Sequence, residues 1–154
     1  MISPILPSRA DNTYRGYKAA LWLFSFVVLL KMVISFNCIF SGYSVATSAD
    51  GIPLETFTPA GAQAVVSLFA TWGLAQLVLC ALCLLALFRY RALVPLMFAV
   101  LLLEHLSRKV ILVFVPIETK GSTAGNIVNL VLLCSMVIGL VLSFMSRVNS
   151  QVQA

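Results

Sequence analysis

Between Leu101 and Phe114 the chain reads LLLEHLSRKVILVF, which sets Glu104, His105, Arg108 and Lys109 within six residues of an otherwise apolar run. A carboxylate beside an imidazole is the pairing that proton relays and quinone sites use, while clustered cations at membrane depth hold anionic groups. Four-residue spacing puts Glu104 and Arg108 on one stripe of a helix and His105 and Lys109 on another, about 100° away. Which chemistry is open to them depends on what surrounds the run.

The 154 residues are 61% hydrophobic and 10% charged, with a mean hydropathy of +1.04, well outside the usage of soluble domains. A spanning helix needs about 20 mostly apolar residues, and the segments 19–40, 63–88, 92–115 and 126–145 qualify. Strand-type alternation at barrel length is absent. The sequence therefore predicts an all-α polytopic membrane protein, a four-transmembrane-helix antiparallel bundle over 19–146. A polar N-terminal tail (1–18) and a C-terminal tail (147–154) flank it. The N-terminal tail is too polar, and the first apolar run too long, for a cleaved signal peptide.

Basic residues orient the bundle. Arg9, Arg15 and Lys18 precede the first span, Arg89 and Arg91 lie in the second turn and Arg147 follows the last span, against Lys120 alone on the other side. Both termini are expected to be cytoplasmic. Compact loops and the lack of a glycosylation sequon suit a bacterial inner membrane. Topology accounts for the net charge of +5, so the expected partners are the lipid bilayer, subunits of a membrane complex or a second copy of the chain, with no nucleic acid.

The connections carry local signals. Asp11 or Asn12 could cap a helical turn on the membrane surface, with Tyr14 and Tyr17 at headgroup level. Thr58 followed by Pro59 reads as the N-cap and first-turn proline of the second helix, after a long outer loop with turn chemistry at Asp50, Gly51 and Pro53. The turn RYRAL, 89–93, makes the second and third helices antiparallel neighbours, and the connection PIETKGSTAG, 116–125, pairs the third with the fourth. Ser135, Gly139 and Ser143 form a small-residue face for close packing. Cys38, Cys80, Cys83 and Cys134 read as free, buried thiols, Cys80 and Cys83 sharing one helical face. No phosphate-cradling loop, zinc spacing or nucleophile elbow appears.

The span midpoints fall near Lys31, Gln76, Glu104 and Ser135, with Asn129 further out and Arg108 and Lys109 roughly 6 to 8 Å outward of Glu104. A charge at helix centre costs roughly 2.5 to 3.5 kcal/mol, so this layer should face inward and pair. Glu104 is expected to bridge Lys31 and Arg108, leaving Lys109 to snorkel or to face a ligand. A buried ion pair can also simply lock register. The surplus of Lys31, Arg108 and Lys109 over Glu104 nevertheless invites an anion such as a lipid phosphate, a carboxylate or a reduced quinone.

The candidate ligand-binding set is Lys31, Gln76, Glu104, His105, Arg108 and Lys109. No metal site is expected, and no cofactor beyond a bound quinone or lipid. The leading expectation is an accessory subunit or binding protein of a membrane complex. The alternatives are a small proton-coupled transporter in which Glu104 and His105 exchange protons, and a membrane-embedded enzyme acting on a lipid or quinone with His105 as base and Glu104 as its orienter.

A first helix carrying lysine in FVVLLKMVIS, then a prolonged outer loop, then GLAQLVLCALCLLALFRYRALVPLMFAV resembles the DoxX-like family of small four-helix bacterial membrane proteins. In that family the second helix carries a glutamate about fourteen residues before an arginine that starts the third. Gln76, followed by Arg89 and Arg91, occupies the corresponding places, so glutamine stands where the family has glutamate. The family's glycines are largely missing here, and the similarity covers about two thirds of the chain. The resemblance implies an accessory membrane subunit linked to quinone oxidoreductases or to complexes handling thiols and oxidative stress.

Overall fold

A computed structural model describes residues 11–14, 16–120 and 123–152, with the backbone alone at 123–124 and 146–152. Arg9 and Arg15 lie outside the described residues, as does the side chain of Arg147. The described chain is all-α. There are four long helices, α1 (Lys18–Phe40), α2 (Pro59–Arg89), α3 (Val94–Phe114) and α4 (Thr123–Val152), with short helical turns in the α1–α2 and α2–α3 connections. By length and composition α1, α2 and the Gly125–Met145 part of α4 can cross a membrane. Large apolar side chains such as Trp22, Phe40, Leu68, Phe88, Leu103 and Phe114 face outward, an exposed apolar surface that needs lipid to cover it. The chain is thus a small integral membrane protein.

Each helix coincides with a predicted apolar span to within about four residues, except that α4 continues to Val152. α2 begins at Pro59, as the Thr58–Pro59 signal predicts, because Thr58 Oγ1 accepts the Gly61 N–H and Pro59 sits where no N–H is needed. The α2–α3 turn is a single 3₁₀ turn at Arg91–Leu93. The long outer connection is also more structured than a loop. After a break at Ser41 it forms helical turns over Gly42–Ser44, Val45–Ala49 and Leu54–Thr56. Gly51 reverses the chain there with φ 70°, in the left-handed region that glycine enters freely. Ala46, Ile52 and Leu54 are buried against Val65, Val66 and Phe69 of α2, so the segment folds down onto the bundle.

α1 packs closely on α2 and on α4, α4 packs on α3, and α2 and α3 touch sparingly along their length. The expected close α2–α3 pairing is therefore loose: a tight turn fixes only the ends it joins. α3 spends its core side chains on α1 and α4 instead. Phe98 meets Phe24 edge to face at 4.9 Å and 70°, and a Cβ at Gly139 of α4 would collide with the Phe98 ring. The small-residue face of α4 thus seats an aromatic ring and, one turn on, Ser143, whose hydroxyl bonds Tyr14 Oη at 3.0 Å.

Tyr14 packs against the core at the bundle end. The Ala92 N–H donates to the Asp11 carbonyl at 3.2 Å, tying residues 11–14 to the α2–α3 turn. Asp11 caps a turn through the Thr13 N–H, and no helix forms there. Among the cysteines, Cys38, Cys80 and Cys83 are buried and free, whereas Cys134 is exposed because it lies on the lipid-side face of α4, away from buried Leu132 and Met136.

The α1–α2 crossing is closest at Gly73, where an added Cβ would lie 2.9 Å from the Ser35 carbonyl oxygen and 2.9 Å from Cys38 Cβ. Gly73→Val is expected to lower the stability of the detergent-solubilised protein by about 1 to 3 kcal/mol, the usual cost of overpacking. Thermal unfolding unchanged by Gly73→Val would contradict this crossing.

Candidate functional site

Lys31 is 5% exposed on the face of α1 that meets both α2 and α3. Its Nζ donates to Gln76 Oε1 at 3.1 Å and to Glu104 Oε2 at 2.8 Å. The ammonium is thus neutralised by one carboxylate and further solvated by one amide oxygen, the arrangement a cation removed from water requires. Three helices contribute one group each at a common depth. Ser135 of α4, expected in the same layer, makes no hydrogen bond to it among the described residues; α4 contributes Asn129 instead.

One turn outward lies a second cluster. Arg108 approaches the other oxygen of Glu104 with Nε at 4.0 Å, and its Nη2 reaches His105 Nδ1 and Asn129 Oδ1 at 3.4 Å each. Its guanidinium also lies over the Trp72 ring at 4.9 Å from the centroid, a cation–π contact between α2 and α3. Trp72 escaped the sequence reading, yet a signal exists. In antiparallel helices, four residues before Gln76 and four after Glu104 reach the same depth, about 6 Å outward.

His105 is fully buried. Arginine carries only donors, so Nδ1 accepts from Arg108 and the ring proton sits on Nε2, which has no hydrogen-bond partner. No hydrogen bond joins Glu104 to His105 among the described residues. The Glu104–His105 couple expected from adjacency in sequence therefore separates: neighbours on a helix point about 100° apart, one toward Lys31 and the other into the core.

Between the outer halves of α2 and α3, and against the first turns of α4, lies a cavity of about 660 Å³. Arg108, Lys109, Trp72, Asn126, Asn129 and Asp50 supply its polar and aromatic lining. Lys109 makes no hydrogen bond or ion pair among the described residues. The two outer connections roof this space. The Lys120 N–H donates to the Gly51 carbonyl at 2.8 Å, Lys120 and Glu55 form an ion pair, and Gly125 admits the Ala49 carbonyl so closely that no Cβ would fit. The Lys120 hydrogen bond holds the Glu55 carboxyl below the usual range. Burial pushes the Asp50 carboxyl above its usual value, against the opposing fields of Arg108 and Lys109.

The Lys31–Glu104 pair can be tested by exchange. Lys31→Glu and Glu104→Lys singly leave like charges facing each other in a low dielectric, and removing one partner of a buried pair costs about 3 to 5 kcal/mol. The double exchange is expected to recover most of the lost folding yield, since the Gln76 amide offers a donor as well as an acceptor. A double variant no better than either single one would contradict the pairing. At Asp50 the folded chain keeps its proton to higher pH than the unfolded chain, so this group's contribution to stability falls as pH rises between the two values. Asp50→Asn is expected to raise the unfolding temperature above that interval and to lose the advantage below it; an advantage independent of pH would refute burial as the cause.

Compared with known proteins, the chain matches no family model, no curated protein and no solved structure.

Proposed function

We propose that the protein is a four-span subunit or binding protein of a membrane complex, with a polar site inside the bundle that holds a lipid-like, quinone-like or other anionic ligand. The carrying observation is an imbalance of charge. Glu104 is held by Lys31 at 2.8 Å and reaches Arg108 only at 4.0 Å, and among the described residues that line the outer cavity with Arg108 and Lys109, Asp50 is the one acidic group. Two cations in a largely apolar recess attract an anion, because an ion is held more strongly there than in water.

In this reading α3 is the fourth span. Its 21 residues extend about 31 Å at 1.5 Å per residue, enough for the hydrocarbon core, and its charges turn inward. Lys18, Arg89 and Arg91 gather at the end where the α2–α3 turn meets residues 11–14. Both termini then lie on the cytoplasmic side of a bacterial inner membrane. The resemblance to the DoxX-like family supports an accessory role, with Gln76 in place of the family's glutamate serving as a neutral acceptor for Lys31.

The proton-coupled transporter is less favoured, because His105 faces Arg108 rather than Glu104 and carries its proton on a nitrogen buried in the core. The same geometry weighs against an enzyme with His105 as base.

Native mass spectrometry of the purified protein separates these readings. A co-purifying anionic lipid or quinone, reduced about tenfold or more in occupancy by Arg108→Ala, is expected. A clean apo protein combined with proton-driven uptake in vesicles, abolished by Glu104→Gln, would overturn the binding role in favour of transport.

A further inference from the structure

We propose that the outer cavity takes the phosphate head of a membrane lipid that enters sideways between α2 and α3, from the leaflet on the Lys120 side. This rests on the reading of the bundle as an anion-binding membrane protein and names the class of ligand. Three observations carry it.

The donors come first. Of the Arg108 nitrogens, Nε faces Glu104 and Nη2 faces His105 and Asn129, which leaves Nη1 uncommitted. Lys109 offers an ammonium with none of its three protons engaged among the described residues. Asn129 uses its carbonyl oxygen toward Arg108, so its amide nitrogen is left to donate. A phosphate, with several acceptor oxygens and at least one full charge, satisfies such a donor set better than a single carbonyl or phenol does.

The second is access. Leu68 of α2 and Leu112 of α3 both line the cavity and are nevertheless 68% and 40% exposed. The walls of the recess are therefore continuous with the surface that meets hydrocarbon, and a lipid can place its head on Arg108 and Lys109 while its chains stay in the bilayer. On the side of the two outer connections the cavity is lined by Ile52, Phe57, Pro116 and Ile117, apolar side chains that offer a soluble anion no donor.

The third is the gap itself. α2 and α3 are joined by one 3₁₀ turn yet pack sparingly, with the Arg108–Trp72 contact bridging them. Basic pockets between spanning helices bind lipid head groups.

Trp72 reports occupancy directly. The chain has two tryptophans, and Trp22 is 80% exposed on α1, so Trp22→Phe leaves Trp72 as the one emitter. In phosphatidylcholine nanodiscs, titration with phosphatidylglycerol brominated on its acyl chains is expected to quench Trp72 saturably. Half-quenching should come at about fivefold lower mole fraction than with brominated phosphatidylcholine. Lys109→Gln, which breaks no hydrogen bond or ion pair among the described residues, should abolish that preference. Equal quenching by the two lipids would overturn the proposal, as would a preference untouched by Lys109→Gln. Release of the quenching by millimolar inorganic phosphate would overturn the lipid source in favour of a free anion. If native mass spectrometry still finds an anionic ligand while phosphatidylglycerol shows no preference, this inference fails and the broader anion-binding reading stands; if neither is found, both fail.

Discussion

A lysine ammonium in the middle of an apolar helix bundle must be neutralised, and the rest of the structure is arranged around that requirement. Lys31 cannot reach water from the centre of a 23-residue helix whose neighbours bury it to 5% exposure. It therefore takes a carboxylate from α3 and an amide oxygen from α2. These contacts fix the rotation of three helices about their axes, because turning any of them by one residue would carry its polar group about 100° away. Register in a membrane has few other determinants, since lipid chains are as apolar as leucine. One short ion pair accordingly specifies much of the packing.

The same commitment creates the imbalance further out. With one Glu104 oxygen engaged by Lys31, Arg108 reaches the other only at 4.0 Å and finds its remaining contacts in an aromatic face, an imidazole nitrogen and an amide oxygen, none of which carries a formal negative charge. Lys109 has even less. α2 and α3 pack sparingly beyond their tight turn, and residues of both outer connections line the cavity between them. Structural pairing at the centre and a cationic cavity outside it are thus two consequences of how Glu104, Arg108 and Lys109 are spaced along α3 opposite Lys31 of α1.

Parts of this architecture were legible in the sequence. Helix-length apolar runs located all four helices, Thr58 and Pro59 marked the start of α2, and simple midpoint geometry placed Lys31, Gln76 and Glu104 at one depth. The remainder depends on rotation about helix axes and on long-range packing, which periodicity cannot supply in helices apolar on every face. That is why Ser135 stood in for Asn129, and why Cys134 was expected inside. It is also why Glu104 and His105 were read as a couple when their side chains diverge. The Tyr14 contact was not legible because its partner, Ser143, lies 129 residues away. The cavity was invisible because it arises from how far α2 and α3 separate, a property of neither helix alone.

The central claim is that Lys31 and Glu104 are in direct contact within the membrane. Solid-state NMR of the protein in lipid bilayers, with frequency-selective dipolar recoupling between lysine Nζ and glutamate Cδ, measures that contact. The surface pair is removed by Lys120→Gln so that only one lysine–glutamate contact remains. The 2.8 Å separation of Nζ and Oε2 predicts strong dephasing of one glutamate signal, lost in Lys31→Gln. Absence of dephasing in the Lys120→Gln protein would contradict the account.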